Sequence, residues 1–255
     1  MVDHVRGPQF NVVLRQGFRE GRRQLPVFLV AAGAVGAVRV DDPAASPLAA
    51  AAVLEGRRLY PRRADLQAVI APDDPARTAA LADAVRQQAA RRRAAHRAHP
   101  VRCTRGDVET AMAAAARVAA GEPLSDTEMA TLGCALTDAQ VRDILYALAV
   151  GESAGEIESL WALLARTLPT PWRVEALVLI AFSAYARGDG PLAGVSLQEA
   201  LRCAPDHRMA GMLDTALQSG LRPEDIRDLA LTGYRLAKRF GVQLPPRRPF
   251  GRRAG

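Results

Sequence analysis

Lysine is almost missing from this chain. Lys238 is the single one among 34 Lys and Arg residues, so the formal charge of +7 is carried by guanidinium groups. These stay protonated at any physiological pH. Together with the abundance of Ala, this is the composition of a GC-rich coding sequence. A charge of this size permits contact with nucleic acid or an acidic membrane without demanding it. Cysteine is scarce and odd in number. Cys103, Cys134 and Cys203 lie far apart, which argues against a disulfide framework and suits a reducing cytosol. No charged segment, apolar core and cleavage site open the chain, so no secretory leader is expected and the expected location is cytoplasmic. The longest apolar run, Leu25–Val38, is shorter than the roughly 20 residues of a membrane span.

Catalytic signatures are missing too. There is no Gly-x-Ser-x-Gly elbow and no phosphate loop ending in Lys. Gly33-Ala-Val-Gly36 is a faint echo of a dinucleotide turn, but such a turn must open a helix. Here Arg39-Val40-Asp41-Asp42-Pro43 continues extended and then breaks. The four His do not combine with the three Cys at any metal-ligand spacing; His96 and His99 have only Cys103 near them. No metal and no cofactor are therefore expected. The adjacent carboxylates Asp41-Asp42 and Asp73-Asp74 both precede Pro, where turn and cap roles account for them.

What is present is helix, around one organising stretch. At 255 residues the chain can bury a real core in one large domain or two small ones. Trp172–Pro205 reads as two helices folded across Gly188-Asp189-Gly190. Thr170 is the expected N-cap with Pro171 at the first helical position. Leu177, Ile180, Ala181 and Ala184 recur at helical spacing. Gly188 supplies the left-handed stop, Pro191 restarts the chain, and Ala193, Leu197, Ala200 and Leu201 share a face that Pro205 closes. Small residues at Ala181, Ala193 and Ala200 would let the two axes approach closely. The pattern resembles one tetratricopeptide repeat of about 34 residues. Moving the template one period either way fails, so an ordinary αα-hairpin inside a helical core remains the alternative.

Before Ser46 the texture differs. Phe10–Leu14, Pro26–Ala32 and Ala34–Val40 read as short strands, the last two forming a hairpin. From Ser46 onwards helix signals follow one another: Pro61 opening 62–70, Asp73-Asp74-Pro75 opening a helix to about His96, and a break at Pro100 to Gly106. Capping boxes are expected at Ser125/Glu128, Thr137/Gln140 and Ser153/Glu156. Gly121 and Gly151 act as stops, Asp206 caps a helix that ends at Gly220, and Pro223-Glu224-Asp225 starts one that ends at Gly241. The tail Pro245–Gly255 is basic and rich in Pro and Gly, the composition of a disordered segment. The fold expected is mainly α (α+β): a short β element in 1–46, an Ala/Arg-rich helical segment in 47–104, a repeat-like helical domain in 105–244 and a disordered tail in 245–255.

Two groups of side chains could carry a function. Arg142-Asp143 lies early in a helix, as either a structural ion pair or a ligand-facing one. Arg187-Gly188-Asp189 matches an adhesion tripeptide, but a helix stop explains it. The second group is the basic run Arg57-Arg58, Arg62-Arg63, Arg86, Arg91-Arg92-Arg93, Arg97 and Arg102, offset mainly by Asp83. It is either a solvated face or a phosphate-neutralising one. No aromatic residue interleaves it and no helix-turn-helix declares itself.

The chain resembles an actinobacterial family, domain of unknown function 4192. The specific match runs through Pro123-Leu124-Ser125-Asp126, Val141-Arg142-Asp143, Leu160-Trp161 and Ala176–Gly190. It continues through Ala200-Leu201 before Pro205, Met209-Ala210, Leu213, Gly220 and Pro223. Weaker matches lie at Gly56-Arg57 with Pro61, Arg63 and Leu66, and at Val27–Val40 ending in Arg39-Val40-Asp41, which is similar to the family's early strand pair. Between Asp41 and Ser46, longer members carry extra α/β structure and a Trp- and Cys-containing segment. Any site built there is absent from this chain. The resemblance implies a cytoplasmic bacterial protein and no established activity.

The expected function is a non-enzymatic interaction protein. Its C-terminal helices bind another protein or a second copy, through Arg142, Asp143, Trp161, Arg187 and Asp189. The alternative is an accessory nucleic-acid binder using the 57–102 segment, through Arg86, Arg91, Arg92, Arg93 and Arg97. A third reading, an enzyme with a site of scattered residues, would need a deep pocket with converging polar groups.

Overall fold

A computed structural model describes residues 27–31, 34–38, 60 and 62–249 of the chain. It divides into two units, Met1–Leu59 and Tyr60–Gly255. In the first, β1 (Val27–Ala31) and β2 (Ala34–Val38) pair antiparallel, with Leu29 opposite Gly36 and Ala31 opposite Ala34. That is the expected hairpin. The expected strand at Phe10–Leu14 and the start of the helical region near Ser46 lie outside the described residues.

The second unit is helical: α1 (Arg63–Ala68), α2 (Pro75–Ala98), α3 (Pro100–Ala119), α4 (Asp126–Ala135), α5 (Ala139–Leu145), a 3₁₀ turn (Tyr146–Val150), α6 (Ala154–Thr167), α7 (Arg173–Arg187), α8 (Gly190–Cys203), α9 (Arg208–Gln218) and α10 (Pro223–Phe240). The protein is mainly α. Helix α3 runs unbroken through residues 104 and 105, so no boundary falls there. Pro100 does break the chain, but Gly106 sits inside the next helix, where the lost propensity of one Gly is outweighed by burial of Thr104, Val108 and Ala111.

Helix α7 is the centre. Its sequence is apolar around the whole circumference, the pattern of a helix with no solvent face. Every residue from Ala176 to Ala186 is buried, and α6, α8, α10 and the 3₁₀ turn pack around it. Gly188 takes the left-handed conformation with φ +85° that ends α7. Asp189 then caps α8 by accepting from the Leu192 N–H at 3.1 Å. Ala181, Ala193 and Ala200 are fully buried, so α7 and α8 lie close together. A helical-repeat array leaves a concave face open for binding. Covered on every side, α7 lines no such groove, and the hairpin is the middle of a bundle.

The caps differ in detail from the sequence pattern. Ser125 and Glu128 form the expected box: the Glu128 N–H donates to Ser125 Oγ at 3.3 Å, while the Ser125 N–H and hydroxyl donate to the Glu128 carboxylate at 2.8 and 2.7 Å. At α5 the cap is Asp138, which accepts from the Gln140 N–H at 2.8 Å, and the Thr137 hydroxyl donates instead to the Cys134 carbonyl. Ser153 makes no side-chain cap bond. Helix α7 begins at Arg173, beyond Thr170 and Pro171. His207, rather than Asp206, caps α9 through Nδ1, which accepts from the Ala210 N–H at 3.2 Å.

The Ser125 N–H, then its hydroxyl, then Arg117 draw the Glu128 carboxyl down from its ordinary 4.5 to about 2. A depressed carboxylate contributes its stability fully above the ordinary value and loses it as pH falls towards the folded one. Acid titration of the unfolding free energy should therefore show a loss between pH 4.5 and 2 that Glu128→Gln lacks. Equal slopes in both proteins would show that this carboxylate is not held as described.

The first part of the tail is ordered. An antiparallel bridge joins Gly151 to Arg247, the Glu152 N–H donates to the Pro246 carbonyl and the Arg248 N–H to the Val150 carbonyl, both at 2.9 Å. Tyr234 donates its hydroxyl to the Pro245 carbonyl at 3.0 Å. Composition favours disorder for 245–249, but these backbone bonds turn it into a strap across the 3₁₀ turn and α10. Residues 250–255 lie outside the described residues.

Candidate functional site

Charged side chains inside the bundle form four clusters, each tying helices together. In the first, Arg173, only 5% exposed, donates from Nε to the Ala165 carbonyl at 3.0 Å, from Nη1 to Glu199 at 3.0 Å and from Nη2 to the Ile70 carbonyl at 2.8 Å. One guanidinium thus joins α6, α8 and the segment after α1. In the second, Arg187 binds Glu158 of α6 and Asp189, the latter at 2.9 Å.

The third cluster contains Arg142, Glu175 and His207. Arg142 donates to Glu175, and His207 Nε2 lies 3.2 Å from the same carboxylate. Because Nδ1 accepts the capping N–H of Ala210, the imidazole proton belongs on Nε2 and is donated to Glu175. Both ring nitrogens are engaged, so His207 has no lone pair to offer as a general base. Burial pushes the Glu175 carboxyl up, but the hydrogen bonds from His207 and Arg142 outweigh it and the net shift is downward.

In the fourth, Arg92 reaches inward from α2 and donates to Asp107 at 2.7 Å and Asp138 at 2.9 Å. His96 Nε2 stands 3.4 Å from Asp138, within ion-pair distance but poorly aligned for a hydrogen bond. Burial raises the Asp107 carboxyl despite Arg92. Asp138 is lowered, because burial is outweighed by Arg92 and by its capping of Gln140. The Cys103 thiol, 3.8 Å from Asp107, is pushed up by burial and then by that carboxylate; Cys134 is pushed up chiefly by burial. Both remain protonated thiols at neutral pH, and a thiol is a poor nucleophile. Among the described residues, no group of three His, Cys, Asp or Glu is arranged to hold a metal ion.

The five expected binding residues do not converge. Trp161 is 1% exposed and belongs to the core, which corrects its expected place on a binding surface. Its apolar ring stands between the fully buried Leu160 and Leu164 on α6, and burial dominates its placement. Arg142 pairs at the first turn of α7 and Arg187 sits at its end. The twelve residue steps from Glu175 to Arg187 span about 18 Å. Asp189 is an N-cap and a partner of Arg187, so of the five only Asp143 is exposed. Arg173, Glu175, Asp107 and His207 were missed by the sequence reading. The signal for Arg173 was there, as a charge opening an otherwise apolar helix.

The arginine-rich helix separates by direction. Arg92 points in. Arg86 pairs with Asp83 at 2.6 Å on the surface, a contact of small energy. Arg91, Arg93 and Arg97 are exposed and make no ion pair among the described residues.

These observations define a helical bundle held by interhelical guanidinium clusters. The chain belongs to the family described as Domain of unknown function (DUF4192), whose model matches residues 18–224. No curated protein and no solved structure matches it. Among the described residues, no helix is long and apolar enough to cross a membrane.

Proposed function

We propose that this chain is a non-enzymatic interaction protein whose last two helices bind another protein or a second copy. The observation that carries this reading is where large apolar side chains meet solvent. Met212 on α9 is 53% exposed, Leu221 in the following turn 43% and Leu229 on α10 44%; among the described residues only Val101 is comparable. Single exposed apolar residues are ordinary, but three within residues 212–229 make a concentration. The turn is held in place: Gly220 has φ +72°, and the Tyr185 hydroxyl donates to the Leu221 carbonyl at 2.8 Å. Engagement of both nitrogens of His207, the protonated thiols and the capping carboxylates support a binding role over a catalytic one. The earlier surface of Arg142, Trp161 and Arg187 gives way to this one.

A second reading, nucleic-acid binding, is favoured by Arg91, Arg93 and Arg97, exposed on the outside of α2 and without an ion pair among the described residues. One sedimentation experiment separates the two. On the first, the full chain sediments faster as its concentration rises, and Met212→Glu with Leu229→Glu abolishes this. On the second, duplex DNA is bound at low salt, with affinity falling steeply as salt rises and dropping on Arg91→Ser with Arg93→Ser. A chain that stays monomeric, cross-links to no partner through α9 and α10, and ignores DNA would sink both readings.

A further inference from the structure

We infer, on the reading that the last two helices form a binding surface, that the outer face of α10 is where two copies of this chain pair, antiparallel about a two-fold axis at Thr232. Helix α10 buries Ile226, Ala230, Gly233, Ala237 and Phe240 on one side. The opposite side faces solvent, and its exposed charges are sorted by sign. Glu224, Asp225 and Asp228 stand in the first half, and Arg235, Lys238 and Arg239 in the second.

The helix dipole accounts for the end turns alone, Glu224 and Asp225 at the start and Lys238 and Arg239 at the finish, because its effect falls off within one turn. Asp228 and Arg235 lie further in. Within α10 the ion pair joins Arg227 to Glu224, and Asp225, Asp228, Arg235 and Arg239 make none among the described residues. Arg235 donates from Nη2 to the Thr232 hydroxyl at 3.0 Å, a bond within the helix that holds the guanidinium on this face.

The spacing is self-complementary. Asp225 and Arg239 each stand seven residues from Thr232; Asp228 and Arg235 stand four and three away, Leu229 and Leu236 three and four. At about 100° per residue, all of them fall within an arc of about 120° centred on Thr232. A two-fold axis there sets Asp225 opposite Arg239 of the second copy and Asp228 opposite Arg235 of the second copy, and symmetry repeats each pair. Leu229, 44% exposed, meets the half-buried Leu236 of the second copy on the other flank of the same face. Parallel pairing would set like charges together. The net charge of +7 is screened beyond roughly 8 Å at physiological salt, so the local pairs decide. One helix face per copy is a small contact, and the dimer expected is a reversible one.

The test is sedimentation velocity of the full chain and of two charge-reversed variants, alone and mixed. The parent is expected to sediment faster as its concentration rises. Asp225→Arg with Asp228→Arg, and separately Arg235→Asp with Arg239→Asp, should each weaken self-association by about tenfold or more, because every attractive pair becomes a like-charge one. Equal amounts of the two variants should pair again with about the parent's affinity. Lys238→Glu, about 120° around the helix from Thr232, should change nothing. Circular dichroism establishes that each variant keeps its fold; should one unfold, the other carries the test. Undiminished self-association of a folded charge-reversed variant overturns the inference and leaves the binding reading to the Met212→Glu with Leu229→Glu variant. Two folded, monomeric variants that fail to pair on mixing also overturn it. So does a parent that stays monomeric at every concentration, whereas the binding reading falls only if, in addition, no other protein cross-links to α9 and α10.

Discussion

Gly233→Ala should lower the thermal midpoint by several degrees. Helix α10 crosses α5 and the 3₁₀ turn at this glycine. A Cβ there would stand 2.6 Å from the Asp143 carbonyl oxygen, 2.8 Å from Ala147 Cβ and 3.1 Å from the Ile144 carbonyl oxygen. Two of those three neighbours are backbone, so no rotamer change relieves the contact and the helices must move apart. Overpacking costs typically 1–3 kcal/mol. Against it stands the helix propensity of Ala, better than Gly by about 1 kcal/mol. The clash wins because carbonyl oxygens of a buried helix cannot retreat without breaking their own hydrogen bonds. The net loss expected is about 1 kcal/mol and at most about 2, or roughly 2–8 °C for a chain of this length. Gly211→Ala in α9 is the matched control, since a Cβ there meets nothing within 4 Å, and it should stabilise by up to about 1 kcal/mol. If both variants melted like the parent, α10 would not cross α5 as closely as described.

Arg173→Met should be the most destabilising single change on the inward face of α7. It removes one fork that serves the Ala165 carbonyl, the Ile70 carbonyl and Glu199 together, leaving two buried carbonyls and a half-buried carboxylate without their donor. Removing one member of a buried charge pair costs about 3–5 kcal/mol, mostly through the groups left behind. Arg173→Lys keeps the charge but not the planar fork, and should fall between parent and Met. Arg202→Ala provides the contrast. Arg202 binds the same Glu199 at 2.8 Å but its side chain is 68% exposed, so its loss should leave the unfolding midpoint close to that of the parent. Urea midpoints at constant m read all three. A midpoint for Arg173→Met indistinguishable from that for Arg202→Ala would show that the Arg173 fork does not organise this end of the bundle.

Both predictions depend on distances between residues far apart in the chain, and this is where sequence reading lost sight of the protein. Local signals were legible because their causes are local. The Ser125/Glu128 box, Gly121, Gly188, Gly220 and Gly241 with positive φ, and Pro at the start of α2 and α10 each rest on backbone geometry within one turn. Where two local candidates competed, pattern alone chose wrongly. Asp138 outcompeted Thr137 because it also receives Arg92, and His207 outcompeted Asp206 because its other nitrogen meets Glu175. In each case a tertiary partner decided between neighbouring caps.

The candidate sites show the same limit. Arg91, Arg92 and Arg93 are identical in type and consecutive in sequence, yet Arg92 lies in the bundle and its neighbours lie outside. A 100° step per residue separates them, and the face that turns inward is set by where Asp107 and Asp138 stand. The strap at 245–249 reads as disordered by composition, because Pro245, Pro246 and Pro249 make no regular element. Its order comes from the backbone groups of Val150, Gly151 and Glu152, roughly a hundred residues earlier.

By itself the sequence determined that this chain is mainly helical, where most of its helices begin and end, that Trp172–Pro205 is an αα-hairpin, and that the chain is a member of its family. Those properties follow from residue spacing, caps and breakers acting over a few residues. Only the tertiary structure decided that α7 is enclosed rather than lining a groove, that Trp161 is core, and that Arg142 and Arg187 act at opposite ends of one helix. The reason is physical: burial and ion pairing depend on which surfaces meet, and residues 30 to 130 positions apart meet here through packing that no local pattern encodes.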